Sequence, residues 1–151
     1  MLCRLIALVG MILPGCRSAP DASDAASTYA ESARWTNRLI VLSAASNSDP
    51  TFTTQRQRLG DIAPGLVERH LLVVELVPGH GRFGDHPIDD RGVTTLQQRW
   101  DISSGGFQAV LVGKDGRAKR RWDVLFDPTE MNELIDTMPM RQDEMRIQAR
   151  D

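Results

Sequence analysis

The sequence predicts an α/β domain with a central mixed sheet of about four strands flanked by helices. Three observations predict it. Arg38 to Ala44 and Leu71 to Val77 are near-continuous apolar runs, the mark of strands buried on both faces. The segment between them carries apolar residues at helical spacing, so the three together read as one strand-helix-strand unit. Phe107 to Val112 and Arg117 to Trp122 flank Gly113-Lys114-Asp115-Gly116, where Asp-Gly supplies the positive φ of a tight hairpin.

The elements follow in order. After the first strand, Ala45 to Ser48 is a small polar loop, and Asp49-Pro50 reads as cap and first helical residue. Phe52, Leu59, Ile62 and Leu66 fall on one face of the helix, which Pro64-Gly65 must kink or break. After the second strand, Pro78 to Gly92 reads as a long polar loop, a length usually functional or mobile. A short helix over Thr94 to Trp100 precedes the Ser103-Ser104-Gly105-Gly106 turn and the hairpin. Asp127-Pro128-Thr129-Glu130 starts a last helix with cap, proline and glutamate in register. Met131, Leu134, Ile135 and Met138 form its buried stripe, and Pro139 ends it. Residues 141–151 read as a polar tail. The order strand, helix, strand, helix, hairpin, helix is that of a thioredoxin-like domain, here expected over residues 35–140.

The N-terminus carries an export address. Arg4 gives a minimal positive region and Leu5 to Leu13 an apolar core, too short for a membrane span of roughly 20 residues. Leu13-Pro14-Gly15-Cys16 looks like a lipobox, so residues 1–15 read as a lipoprotein signal peptide, with Cys16 as the lipidated residue. A plain secretory signal cut near Ser18-Ala19 and an uncleaved anchor are the alternatives. Diacylation of Cys16 would supply the two chains that stable anchoring requires. Arg17 is not the aspartate that retains such proteins at the inner membrane, which points to a periplasm-facing place on the outer membrane of the cell envelope. Otherwise the protein is secreted or periplasmic. Residues 16–34, rich in Ala, Ser, Asp and Thr, read as a disordered tether reaching about 25 Å from the bilayer.

Signal and tether leave about 115 residues, enough for one domain with one core. The formal charge of −2 gives no reason to expect nucleic acid as a partner. Of the two cysteines, Cys3 leaves with the signal and Cys16 carries lipid, so the mature chain has no free thiol and no disulfide.

Four stretches add up to a family. They are Arg38-Leu39-Ile40-Val41-Leu42 with Asp49-Pro50 and Gln55; Glu68 to Glu75; Gly106-Phe107 through Gly113-Lys114-Asp115-Gly116 to Lys119; and Ile135-Asp136-Thr137-Met138-Pro139-Met140-Arg141 with Glu144-Met145. Together they resemble the DUF4174 family, a domain of unknown function common in exported bacterial proteins, with similar domains in animal extracellular proteins, some of which carry sushi repeats. The resemblance spans roughly Arg38 to Arg146. It implies a thioredoxin-like, peroxiredoxin-related fold and no established reaction.

Such folds place their reactive cysteine where the first strand turns into the first helix, because the helix N-terminus lowers its pKa. Here Ala44-Ala45-Ser46-Asn47-Ser48-Asp49 stands there. The turn that usually carries a cis-proline is Gly105-Gly106-Phe107. A thiol peroxidase or disulfide exchanger is therefore not expected, and the chain is expected to act by binding rather than as an enzyme. Ser46, Asn47 and Ser48 are candidate binding residues at a helix N-terminus, although Asp49 should occupy the free N–H groups. His80, Asp85 and His86, with Asp89 and Asp90, are the densest set of metal-ligand types, but their spacing matches no ligand motif and a solvated loop is expected. No metal or other cofactor is expected. Arg117, Lys119 and Arg121 alternate and should project to one face, to meet an acidic partner or to guard a sheet edge. His70 reads as a boundary residue, Asp143-Glu144 as a solvated pair, and Ser43 as no nucleophile for want of G-x-S-x-G. Trp35, Trp100 and Trp122 read as core or boundary packing. The favoured reading is an envelope lipoprotein whose redox-inactive domain binds an envelope protein or component. The alternative is a non-redox enzyme, metal-assisted, using the 78–92 loop.

Overall fold

A computed structural model of the chain describes residues 22–150. The expected signal peptide, Cys16 and residues 17–21 lie outside the described residues. The elements are α1 (Ala22–Ala33), β1 (Arg38–Ser43), α2 (Pro50–Asp61), α3 (Ala63–Glu68), β2 (Leu71–Leu76), β3 (Gly81–Phe83), β4 (His86–Ile88), α4 (Asp90–Arg99), β5 (Gln108–Val112), β6 (Ala118–Trp122), α5 (Pro128–Asp136) and α6 (Pro139–Gln148). The strands form one mixed sheet in the order β4-β3-β2-β1-β5-β6. β1 runs parallel to β2 and antiparallel to β5, and the other neighbours pair antiparallel.

The apolar runs act as the period-2 rule requires. Leu39 and Val41 of β1 join Val74, Leu76, Val110 and Val112 in a core on the face covered by α1 and α4. Ile40 and Leu42 point the other way, into a core with Phe52, Leu59, Met131 and Ile135 of α2 and α5. The central strands are buried twice over. Asp49 caps α2 by accepting from Phe52 N at 2.9 Å, with Pro50 in the first turn. The break falls at Ile62, so that Pro64 sits in the first turn of α3, where its missing N–H costs nothing. Asp127 caps α5 in the same way, through Thr129 N.

Four expectations are corrected. The sheet has six strands rather than four, because the 78–92 segment is a β-hairpin and not a loop. Phe83 pairs with His86 across Gly84-Asp85, and Gly84 has φ +57, as the first central residue of a type II′ turn needs. Three-residue strands are too short for alternation to show. Second, the expected tether is helical from Ala22 to Ala33, and Ala26, Ala30 and Ala33 pack on the sheet with at most 5% exposure. Small side chains looked like an inability to bury surface; here they let a helix approach closely.

Third, the expected polar tail is α6, which docks by charge. Arg38 and Arg141 are each 1% exposed. Arg38 forks onto Glu144 at 3.1 and 3.2 Å, and Lys114 Nζ lies 2.8 Å from the same carboxylate. Arg141 donates to Asp136 at 3.1 Å and to Glu68, while Arg69 donates twice to Asp136. Glu144 is thus not a solvated surface acid. Fourth, Trp35 is 61% exposed in the turn before β1, whereas Trp100 is buried and Trp122 stacks on Phe126.

The cluster makes stability depend on acid. Burial works against the charge on Glu144, but hydrogen bonds from Arg38 and Lys114 outweigh it and hold the carboxyl below the usual glutamate range. Burial is outweighed at Asp136 too, by Arg69 and Arg141. Because both folded-state values are depressed, the unfolded chain binds more protons in acid. The contribution is fully present above about pH 5 and is lost as pH falls through the lowered values. Glu144→Gln should cost about 2–4 kcal/mol at pH 7, by leaving buried cations without their carboxylate. It should also flatten the acid limb of stability against pH, read by urea unfolding between pH 7 and 3. An unchanged acid limb would remove Glu144 from the linkage.

Gly81 generates a second prediction. A Cβ there would lie 2.5 Å from Val93 Cγ2 and 2.7 Å from the Ile88 carbonyl oxygen, so the hairpin and α4 could not close on it. Gly81→Ala should destabilise by about 1–3 kcal/mol. Gly105→Ala, which meets nothing within 4 Å, should shift the urea midpoint little by comparison.

Candidate functional site

Parallel pairing of β1 and β2 puts their C-terminal ends side by side, with Ser43 opposite Leu76. The chain leaves β1 through Ala44 to Asp49 and leaves β2 through Val77 to His80. A crevice therefore forms where the two exits diverge, as it does beyond the carboxyl ends of parallel strands generally. A cavity of about 490 Å³ lies there, lined by Asn47, Arg56, Glu75, His80 and Arg82 among others.

Each contributor is placed by a local cause. Asn47 sits in the strand-to-helix turn, where its carbonyl accepts from Thr53 Oγ1 at 3.4 Å. Arg56 is one and a half turns into α2, with its guanidinium 5.6 Å from the centre of the Phe52 ring. Glu75 and Arg82 are register partners across β2 and β3, so opposite charges meet on one face of the sheet. His80 ends the turn in which Gly79 has φ +71.

The sequence-predicted residues divide here. Asn47 and His80 share the cavity, although nothing in their spacing links them. Ser46 and Ser48 bond to each other, Oγ to Oγ at 2.8 Å, and Asp49 takes a helix N-terminal donor as its cap. Asp85 is fully exposed, 3.9 Å from Arg82, and His86 stacks on Tyr29 at 4.7 Å between ring centres. Asp89 caps α4 through Gly92 N at 2.8 Å, and Asp90 accepts from Gly79 N at 2.6 Å. Among the described residues, no three His, Cys, Asp or Glu side chains converge as a metal site. Arg56, Glu75 and Arg82 escaped sequence reasoning, since an exposed arginine on a helix or a short strand carries no local signal.

Arg117, Lys119 and Arg121 do not share a face, which corrects the expectation. The β5–β6 register shifts between Leu111 and Val112, which pair with Arg120 and Ala118, so Lys119 is the extra residue of a bulge. Beyond it the alternation is reset. Arg121 donates to the carbonyls of Trp100 and Asp101 at the end of α4. Lys119 bonds Asp115 at 2.7 Å on the other side.

Chemically, the crevice offers two guanidiniums, an imidazole, a carboxylate and an amide, a set suited to hydrogen bonding and charge recognition. Ser43 is buried, donates to Leu76 O and accepts from Gln97 Nε2, both at 3.1 Å, so its hydroxyl is a structural link. No cysteine occurs among the described residues.

The fold has a solved counterpart. A yeast mitochondrial 1-Cys peroxiredoxin superposes with a TM-score of 0.56 at 13% identity, over 77% of this chain and 70% of that one. The likeness is one of fold, and it identifies the domain as thioredoxin-like. In sequence, the human sushi repeat-containing protein SRPX is 34% identical over 116 residues, 74% of this chain and 25% of that protein. Coiled-coil domain-containing protein 80 of Danio rerio is 28% identical over 132 residues, 76% of this chain and 15% of that protein. The chain thus spans a quarter or less of these relatives. The domain of unknown function DUF4174 matches residues 30–144, and the chain belongs to that family.

Proposed function

We propose that this protein is an envelope lipoprotein whose thioredoxin-like domain is redox-inactive and works by binding a protein or another envelope component. The observation that carries the reading is the turn after β1. Where a thioredoxin-like redox protein holds its thiol, this chain has Ala44 to Ser48, with Asp49 capping α2. Peroxide reduction and disulfide exchange both begin with a thiolate. What remains at that place is a polar cavity lined by Asn47, Arg56, Glu75, His80 and Arg82.

Two further facts support a module that recognises. In the sushi repeat-containing relatives the matched segment is a quarter of a longer chain, as expected of a unit joined to other units. The Leu13-Pro14-Gly15-Cys16 stretch supports a lipid anchor, and Arg17 an outer-membrane location. Among the described residues, no helix is long and apolar enough to cross a membrane.

Purified residues 17–151 should consume hydrogen peroxide and reduce insulin disulfides no faster than buffer; turnover of either would overturn redox inactivity. A photocrosslinker at His80 in living cells should capture a reproducible partner. Arg56→Glu with Arg82→Glu should reduce that capture at least tenfold, and unchanged capture would remove the cavity from the interface. For the anchor, Cys16→Ser should abolish acylation, read as loss of the acyl mass from the mature protein and its release from the membrane fraction. Equal mass and fractionation would refute the address.

A further inference from the structure

At the opposite end of the sheet from the candidate crevice, we infer a second site, one that takes a small amphiphile with a single anionic head on an apolar chain. It is a groove of about 320 Å³ between the β5–β6 turn and the α5–α6 junction. Its walls include Met138, Pro139 and Met140, and its charged lining is Arg38 and Lys114 together with the mutually paired Lys119 and Asp115.

The first argument is charge. Arg69 and Arg141 are matched by two carboxylates, Asp136 and Glu68. Arg38 and Lys114, which line the groove, share the single carboxylate of Glu144, which Arg141 also approaches at 3.7 Å. Arg38 is 1% exposed and Lys114 7%. Two buried cations on one carboxylate leave an uncompensated positive charge, which is costly unless an anion approaches. Lys114 also donates to His70 Nδ1 at 2.9 Å. An ammonium can only donate, so that ring nitrogen accepts and the imidazole adds no negative charge.

The second argument is the wall. Besides the cations the groove is lined by two methionines, a proline and Lys119, whose charge is met by Asp115 at 2.7 Å. Methionines adapt to irregular apolar ligands. Gly113 makes room for this arrangement, since a Cβ there would lie 2.5 Å from Lys119 Cε. An anion alone would leave the apolar wall unused, and a hydrocarbon alone would leave the charge unmet. A head group joined to a chain satisfies both, and the volume suits the head and the first part of a chain.

This site is independent of the binding reading at the crevice, and either can fail without the other. Residues 22–150 contain the whole sheet and both cores, so residues 17–151 serve for the test. The probes are decanoate and decyl phosphate, with acetate and decanol as controls, followed by calorimetry and amide NMR. Saturable binding of decanoate or decyl phosphate is expected, with shifts centred on Arg38, Lys114 and Met140. The preferred head separates a fatty-acid source from a phospholipid-like one. Lys114→Met should weaken binding at least tenfold yet fold normally, because it leaves Arg38 and Glu144 as a balanced pair. Should it fail to fold, Met140→Glu, on an exposed side chain, should repel the head to the same degree. Equal binding of decanol or acetate would overturn the amphiphile. Affinity unchanged in the variants, shifts centred elsewhere, or no saturable binding would overturn the site.

Discussion

Two arginines withdrawn from water set the terms for the rest of this molecule. A guanidinium remains charged at any pH a protein experiences, so Arg38 and Arg141 must find acceptors inside the fold. Arg38 finds Glu144 from the far end of the chain, while Arg141 finds Glu68 from a distant helix and Asp136 from the helix just before its own. Satisfying both at once fixes α6 against the start of β1, the end of α3 and the end of α5. Apolar packing would not have done this, because Met140 and Ile147 of α6 face solvent. Buried ion pairs add little net stability over apolar residues of the same size, but losing one partner is expensive. Such a cluster specifies an arrangement more than it strengthens one.

That clasp gathers one end of the parallel strands, leaving the other end to diverge. The same topology requires the divergence, because the exits from β1 and β2 turn toward α2 and the β3–β4 hairpin respectively. In a redox member of the fold, the crevice would serve a thiolate held at a helix N-terminus. Here the helix N-terminus is occupied by Asp49, and the crevice persists as a polar cavity. The geometry belongs to the sheet, whereas the chemistry depends on one residue of the turn.

Much of this was legible from the sequence. The central strands announced themselves because burial on both faces leaves no room for polar residues, and Asp49 and Asp127 announced helix starts by cap chemistry. What was hidden has physical reasons. Alanines at positions 26, 30 and 33 bury well against a sheet but look like a linker's filler. β3 and β4 are three residues each, below the length at which alternation shows, although Gly84-Asp85 was a readable hairpin turn. α6 lacks an apolar stripe because ions hold it. The bulge at Lys119 reversed the side of Arg121 without any local mark. At the site, Asn47 and His80 were each visible as loop residues, but their meeting depends on the parallel register, and Arg56, Glu75 and Arg82 depend on tertiary structure alone.

The helix that the sequence disguised bears on the proposed function. Tyr29 of α1 stacks on His86 and packs against Phe83, which bracket the turn of the β3–β4 hairpin. That hairpin carries Arg82, Pro87 and Ile88 along one wall of the cavity. α1 also joins α4 through the Glu31–Arg99 ion pair, and Gly92 comes so close that a Cβ on it would lie 3.0 Å from that of Ala26. The segment nearest the proposed anchor thus braces the wall of the proposed binding site. Cys16 precedes Ala22 by so few residues that, even fully extended, the chain between them spans at most about 20 Å. A lipid on Cys16 would hold the domain close to the bilayer surface. Displacing α1 from the sheet would then loosen the hairpin and its cavity wall.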